Sequence, residues 1–172
     1  MHINYKRVAK LLTLTLSALL IATVSAESYR YMFINGTITI SNTGLTWVLG
    51  DSASGGSSVA GSTATIALSI SNGTILNFTH YLYLKNLDAS SHSLTISITD
   101  AATSSLYETN GFNITLSNNA TSAYIGQLDA LSGSSTYSGT VGSSAVWHIT
   151  FELATKVDAT GSDNFALQFT YQ

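Results

Sequence analysis

From residue 29 onward, apolar and polar residues alternate along this chain with a period close to two. That is the spacing of strands whose two faces meet different surroundings. Tyr29, Tyr31 and Phe33 fall on one parity and Arg30, Met32 and Ile34 on the other, while Ile38 and Ile40 alternate with Thr37, Thr39 and Ser41. Leu45, Trp47 and Leu49 follow the turn-forming Asn42-Thr43-Gly44, and residues 65–70, 75–84, 93–99, 146–153 and 165–171 read as further strands. Within 75–84, Phe78, His80, Leu82 and Leu84 share one face and Tyr81 and Tyr83 the other. Leu106 and Tyr107 open one strand, and Phe112, Ile114 and Leu116 form the next. Asn35-Gly36 signals a turn or bulge. Residues 51–62 and 132–144 are rich in Ser and Gly and read as exposed loops, and 124–131 fits neither template. No window beyond residue 26 sustains a helical period. About eight or nine short strands at roughly 8–12-residue spacing predict an all-β chain, a single jelly-roll-like β-sandwich.

The first 26 residues follow another pattern. Lys6, Arg7 and Lys10 precede an apolar stretch over residues 11–22, and Val24 and Ala26 place small residues before Glu27. A basic front, an apolar core and a small-residue exit describe a cleavable secretory signal over residues 1–26, cut between Ala26 and Glu27. The apolar stretch is shorter than the roughly 20 residues that span a bilayer, so contact with a membrane is expected only before cleavage. The competing reading is a retained N-terminal helix, as in type IV-like archaeal pilins. Cleavage leaves the aromatic strand of residues 27–36 at a free N-terminus, ahead of a domain over 37–172.

Composition sharpens this picture. The chain is 45% hydrophobic, enough for a core, but only 9% charged, against roughly 25% in ordinary soluble domains. A surface of Ser, Thr and Asn gains little from charge repulsion and is prone to associate. Beyond Ala26, three cations (Arg30, Lys85 and Lys156) face nine acids, a net of six negative charges. That balance argues against nucleic-acid binding, which needs clustered cations. Cysteine and proline are both absent, so no disulfide staples the domain and no proline guards its strand edges. Such edges are expected to be paired, within the domain or between subunits.

Candidate chemistry is sparse. Five N-x-Thr sequons, at Asn35, Asn72, Asn77, Asn113 and Asn119, together with a secretion signal point to N-linked glycans. His80, His92 and His148 lack the close spacing of a zinc site, no HExxH occurs, and His80 and His148 read as packed or hydrogen-bonded strand residues. Asp158 and Asp163 bound a short loop that lacks the alternating acids of a calcium loop. No G-x-S-x-G nucleophile elbow is present, and nothing pairs Asp88, Asp100, Glu108 and Glu152 as glycosidase carboxylates. Lys85, Asn86 and Lys156 raise an isopeptide bond, which needs a buried acid beside both partners. Trp47 and Trp147 fall at alternating strand positions, so core packing is expected over a carbohydrate platform. Neither a catalytic set nor a cofactor site is expected.

An extended aromatic strand directly after the signal, then Ile38 to Gly44, then Tyr81 to Asp88, with Trp147 to Leu153 and Phe165 to Tyr171 closing the chain, resembles the TasA/camelysin-type filament proteins and, within that group, the archaeal bundling pilins. The resemblance runs over the whole mature chain. It implies a secreted, non-enzymatic jelly-roll subunit that polymerises head-to-tail by donor-strand complementation, with filaments bundling laterally in a biofilm matrix or in adhesion. The partner would be the chain itself. Tyr29, Tyr31, Met32, Phe33 and Ile34 would fill the groove of a neighbour, with Gly36 as the hinge. A strand added to an unpaired edge satisfies its N–H and C=O groups, and head-to-tail insertion builds an open filament rather than a ring. A monomeric carbohydrate- or cell-surface-binding module is the alternative from another class.

Overall fold

The computed structural model describes residues 31–40 and 44–171. The signal segment, its junction at Ala26 and Glu27, and Tyr29 lie outside the described residues. What is described is all-β. The strands are β1 (Tyr31–Ile40), β2 (Leu45–Leu49), β3 (Ser58–Ala60), β4 (Thr63–Ser71), β5 (Ile75–Asn86), β6 (His92–Asp100), β7 (Tyr107–Asn118), β8 (Tyr124–Asp129), β9 (Thr136–Val141), β10 (Val146–Thr155) and β11 (Gly161–Tyr171). A 3-10 turn, Ser104–Leu106, leads into β7. Two sheets form a sandwich, one in the order β3-β4-β1-β11-β6-β9 and the other β2-β5-β10-β7-β8.

The pairing of β4 to β11 is nested. β7 pairs with β8, β6 with β9 and β5 with β10, all antiparallel. This is a jelly roll: a long hairpin of eight strands rolled so that successive pairs alternate between sheets. The outermost pair of that hairpin should be β4 with β11. Instead, β1 lies between them, antiparallel to β4 and parallel to β11. The β1–β11 ladder is the one parallel pairing among the described strands.

The core follows the alternation. Met32, Ile34, Ile38 and Ile40 of β1 are buried with Ala64, Ile66, Leu68 and Ile70 of β4 and Phe165, Leu167 and Phe169 of β11. Phe112, Phe151 and Phe165 form an aromatic centre, with Phe165 ring centroids 5.1 Å from Phe112 and 5.9 Å from Phe151. Trp47 meets Phe169 edge-on at 4.8 Å, and its indole donates to the Ser62 carbonyl at 3.2 Å.

Four local expectations change. Asn35-Gly36 makes no turn; β1 runs unbroken from Tyr31 to Ile40, across the expected boundary between residues 36 and 37. Gly36 is not a hinge but an interior strand position with no room for a side chain. The Ser/Gly-rich segments 51–62 and 132–144 contain the edge strands β3 and β9. Tyr137 of β9 explains part of that composition, because its ring lies where side chains on Gly126 and Gly139 would stand. Finally, the period breaks at His80. Phe78 pairs with Phe151 but Leu82 with Ile149, so β5 carries a bulge there. His80 takes a φ of 52°, Tyr81 and Leu82 are buried in succession, and the predicted parity of Tyr81 is reversed. β7 likewise joins two expected strands through Asn110, at φ 56°.

Candidate functional site

The candidate site is the slot between β4 and β11. Removing β1 would divide its sheet into β3-β4 and β11-β6-β9. Two rows of backbone donors and acceptors would open, along with an apolar floor. Met32 and Ile34 are wholly inaccessible, as is Ile38. Burying each such side chain contributes about 1.5–3 kcal/mol. With Ile40, which is 3% exposed, the four therefore contribute on the order of the 5–15 kcal/mol net stability of a whole domain. An empty slot is not a stable option for this fold.

Among the expected interface residues, the structure separates two faces. Met32 and Ile34 point into the core, whereas Phe33 is 58% exposed. Tyr31 opens the strand opposite Ser71; its side chain is not among those described. Next to the slot, Asp163 is only 5% exposed. Its carboxylate accepts bonds from the Thr103 N–H at 2.9 Å, the Thr103 hydroxyl at 2.8 Å and the Tyr107 hydroxyl at 3.0 Å. Burial first, and then the carboxylate, push the Tyr107 phenol well above the ordinary tyrosine range. Asp163 thus anchors the 3-10 turn to β11 rather than sharing an ion with Asp158, which is exposed.

The five sequons spread over the surface. Asn35, on β1, is exposed between Ala67 and Asn164. Asn77 and Asn119 are also exposed. Asn72 donates its amide to the Val157 carbonyl, and Asn113 donates to the Asn110 carbonyl at 2.8 Å. Asn77 and Asn113 stand opposite Glu152 from either side, in a shallow depression of about 190 Å³.

The structure brings together two residues that the sequence holds far apart. His80 and His148 have ring centroids 5.6 Å apart on the outer face of the second sheet. His80 Nδ1 lies 2.9 Å from the Tyr83 hydroxyl. His148 Nδ1 is enclosed and has no hydrogen-bond partner. Burial, and then His80, hold the His148 pKa below the usual histidine value. His92 instead meets Asp88 at 2.7 Å. Among the described residues, no three His, Asp or Glu converge to hold a metal.

Other candidates dissolve into structure. Both tryptophans are buried in the core, as their alternating positions led one to expect, and form no carbohydrate platform. Asn86 spends its amide on the Ser90 and Gly142 carbonyls, each at 2.8 Å, while Lys156 Nζ donates to the Ser105 carbonyl at 3.1 Å; neither is arranged for an isopeptide bond. No helix among the described residues is long and apolar enough to cross a membrane. No protein-family model matches the chain, and no curated protein matches it significantly.

Proposed function

We propose that this chain is the structural subunit of an extracellular filament, secreted by cleavage between Ala26 and Glu27, in which β1 of one copy occupies the slot of the next. The observation that carries this reading is the position of β1. It is the first described strand, it lies outside the nested hairpin β4 to β11, and it separates that hairpin's outermost pair. A strand at that place can leave without disturbing any other pairing.

The same ladder and the same buried residues form whether β1 comes from its own chain or from a neighbour. The closed subunit and the polymer therefore differ little in contact energy, as in domain swapping. Head-to-tail exchange is open-ended, which yields filaments. Gly36, an interior position of β1, is not the hinge of this exchange. The low charge favours lateral contacts between filaments, and sugars on the exposed sequons supply the polarity that charge does not. This reading agrees with the resemblance to the TasA/camelysin-type proteins and archaeal bundling pilins.

The test compares the chain beginning at Glu27 with one beginning at Gly44. The first is expected to form filaments visible by electron microscopy. The second is expected to form none and, with its slot empty, to be poorly folded until a synthetic peptide of residues 27–40 is added, which is expected to restore the β-sheet signal by circular dichroism. Filaments built equally well without β1 would overturn the reading.

A further inference from the structure

We propose that the slot between β4 and β11 selects its strand by sequence: Phe165 admits only a strand with glycine opposite its ring, so the slot takes residues 32–40 of a second copy of this chain, in one register. This deepens the exchange of β1 proposed above and rests on it.

The inward face of β1 reads Met32, Ile34, Gly36, Ile38, Ile40, four buried apolar side chains around a central gap. A glycine inside a strand weakens it and packs nothing of its own. Here the gap is filled from the neighbouring strand. Gly36 stands opposite Phe165 on one side and Ile66 on the other. A Cβ at Gly36 would lie 2.8 Å or less from three carbons of the Phe165 ring. That ring has little room to swing aside, because it is 2% exposed and packs against Phe112 and Phe151.

The gap excludes other registers. A slip of one residue turns Asn35 and Thr37 inward and the four apolar side chains outward, an error that alternation alone rejects. A slip of two keeps the faces but brings Ile34 or Ile38 over Phe165, and only Phe165 rejects it. The same gap excludes other strands. Of the 13 glycines in the chain, Gly36 alone has apolar residues both two and four positions away on either side. An ordinary alternating strand, with a side chain at every inward position, fits the rest of the slot and fails at Phe165.

Capture of synthetic peptides tests this. The full chain carrying Thr65→Cys is refolded in an excess of a peptide of residues 27–40 that bears one cysteine, then oxidised, and the covalent adduct is measured by mass spectrometry. The chain's own β1 competes equally with every peptide, so the ratios report the slot. The Thr37→Cys peptide, whose cysteine lies opposite position 65 in the observed register, is expected to be captured. The Thr39→Cys peptide, which meets position 65 only after a slip of two, is expected to be captured about tenfold less, because diagonal neighbours are too far apart for a disulfide. Adding Gly36→Val to the Thr37→Cys peptide is expected to reduce capture about tenfold, the scale of overpacking. Adding Asn35→Val, new apolar bulk on the outward face, is expected to change it less than about threefold. Phe165→Ala in the chain is expected to restore capture of the Gly36→Val peptide; if that variant does not fold, the peptide series against Phe165 still decides. Equal capture of the Gly36→Val and unaltered-Gly36 peptides, or of the Thr37→Cys and Thr39→Cys peptides, would overturn selection by Phe165 and leave the exchange standing. Capture of no peptide would overturn the exchange itself and the selectivity with it.

Discussion

Gly36 of β1 lies against the ring of Phe165 in β11: a Cβ on Gly36 would stand 2.1 Å from Phe165 Cζ. The two residues face each other in the parallel ladder. Phe165 is held from the other side by Phe112 and Phe151. The absent side chain in the first strand is therefore the space that the last strand's aromatic ring occupies.

Gly36→Ala is accordingly expected to destabilise the fold by about 1–3 kcal/mol, the usual cost of overpacking. Phe165→Leu leaves a cavity and also destabilises. Combined, the two are expected to cost less than their sum, because the smaller side chain admits the new methyl. Guanidinium denaturation of the single and double variants measures the coupling. Strict additivity would mean that the two residues do not share this space.

The two faces of β1 are expected to respond oppositely. Ile34→Asp places an unpaired carboxylate in the core and is expected to abolish both folding and assembly. Phe33→Ser changes an outward position and is expected to shift stability by about 0.5 kcal/mol or less. Soluble yield and filament length, compared side by side, check the difference.

His148 gives a pH dependence. Its pKa in the fold is lowered, so the unfolded chain binds more protons below the ordinary histidine range. Stability is therefore expected to be complete at neutral pH and above, and to fall as pH drops through that range. The groups facing His148 are His80 and Tyr83 on β5 and neutral Ser117 on β7. Nuclear magnetic resonance titration is expected to give His148 a lower midpoint than an unfolded peptide, and His80→Ala is expected to raise it. A midpoint at or above the peptide value would contradict the enclosed, neutral imidazole.

Glycan occupancy should follow exposure. Asn35, Asn77 and Asn119 are exposed, while the Asn72 and Asn113 amides are already bonded to carbonyls. Mass spectrometry of material from the producing cells is expected to show higher occupancy at the first three.

Much of the sandwich was legible in the chain. Alternation located the cores of β4, β6, β10 and β11, because each buries one face and wets the other. It missed β3 and β9, whose Ser and Gly read as loop, and it broke β1 at a glycine whose role is space rather than a turn. The insertion of β1 between β4 and β11 was beyond local pattern, since partners in a nested hairpin are distant in sequence. The meeting of His80 and His148 depends on the same pairing, plus a bulge that alternation cannot reveal.

The most direct measurement uses the absence of cysteine in the chain. Thr37 of β1 and Thr65 of β4 face each other across the ladder, within reach of a disulfide. The double variant Thr37→Cys, Thr65→Cys is assembled under reducing conditions, oxidised, and run on a denaturing gel without reductant. Exchange of β1 between copies predicts a ladder of covalent multimers, because each disulfide then joins two chains. Filaments that dissolve into disulfide-closed monomers would contradict it, since β1 would have stayed in its own subunit.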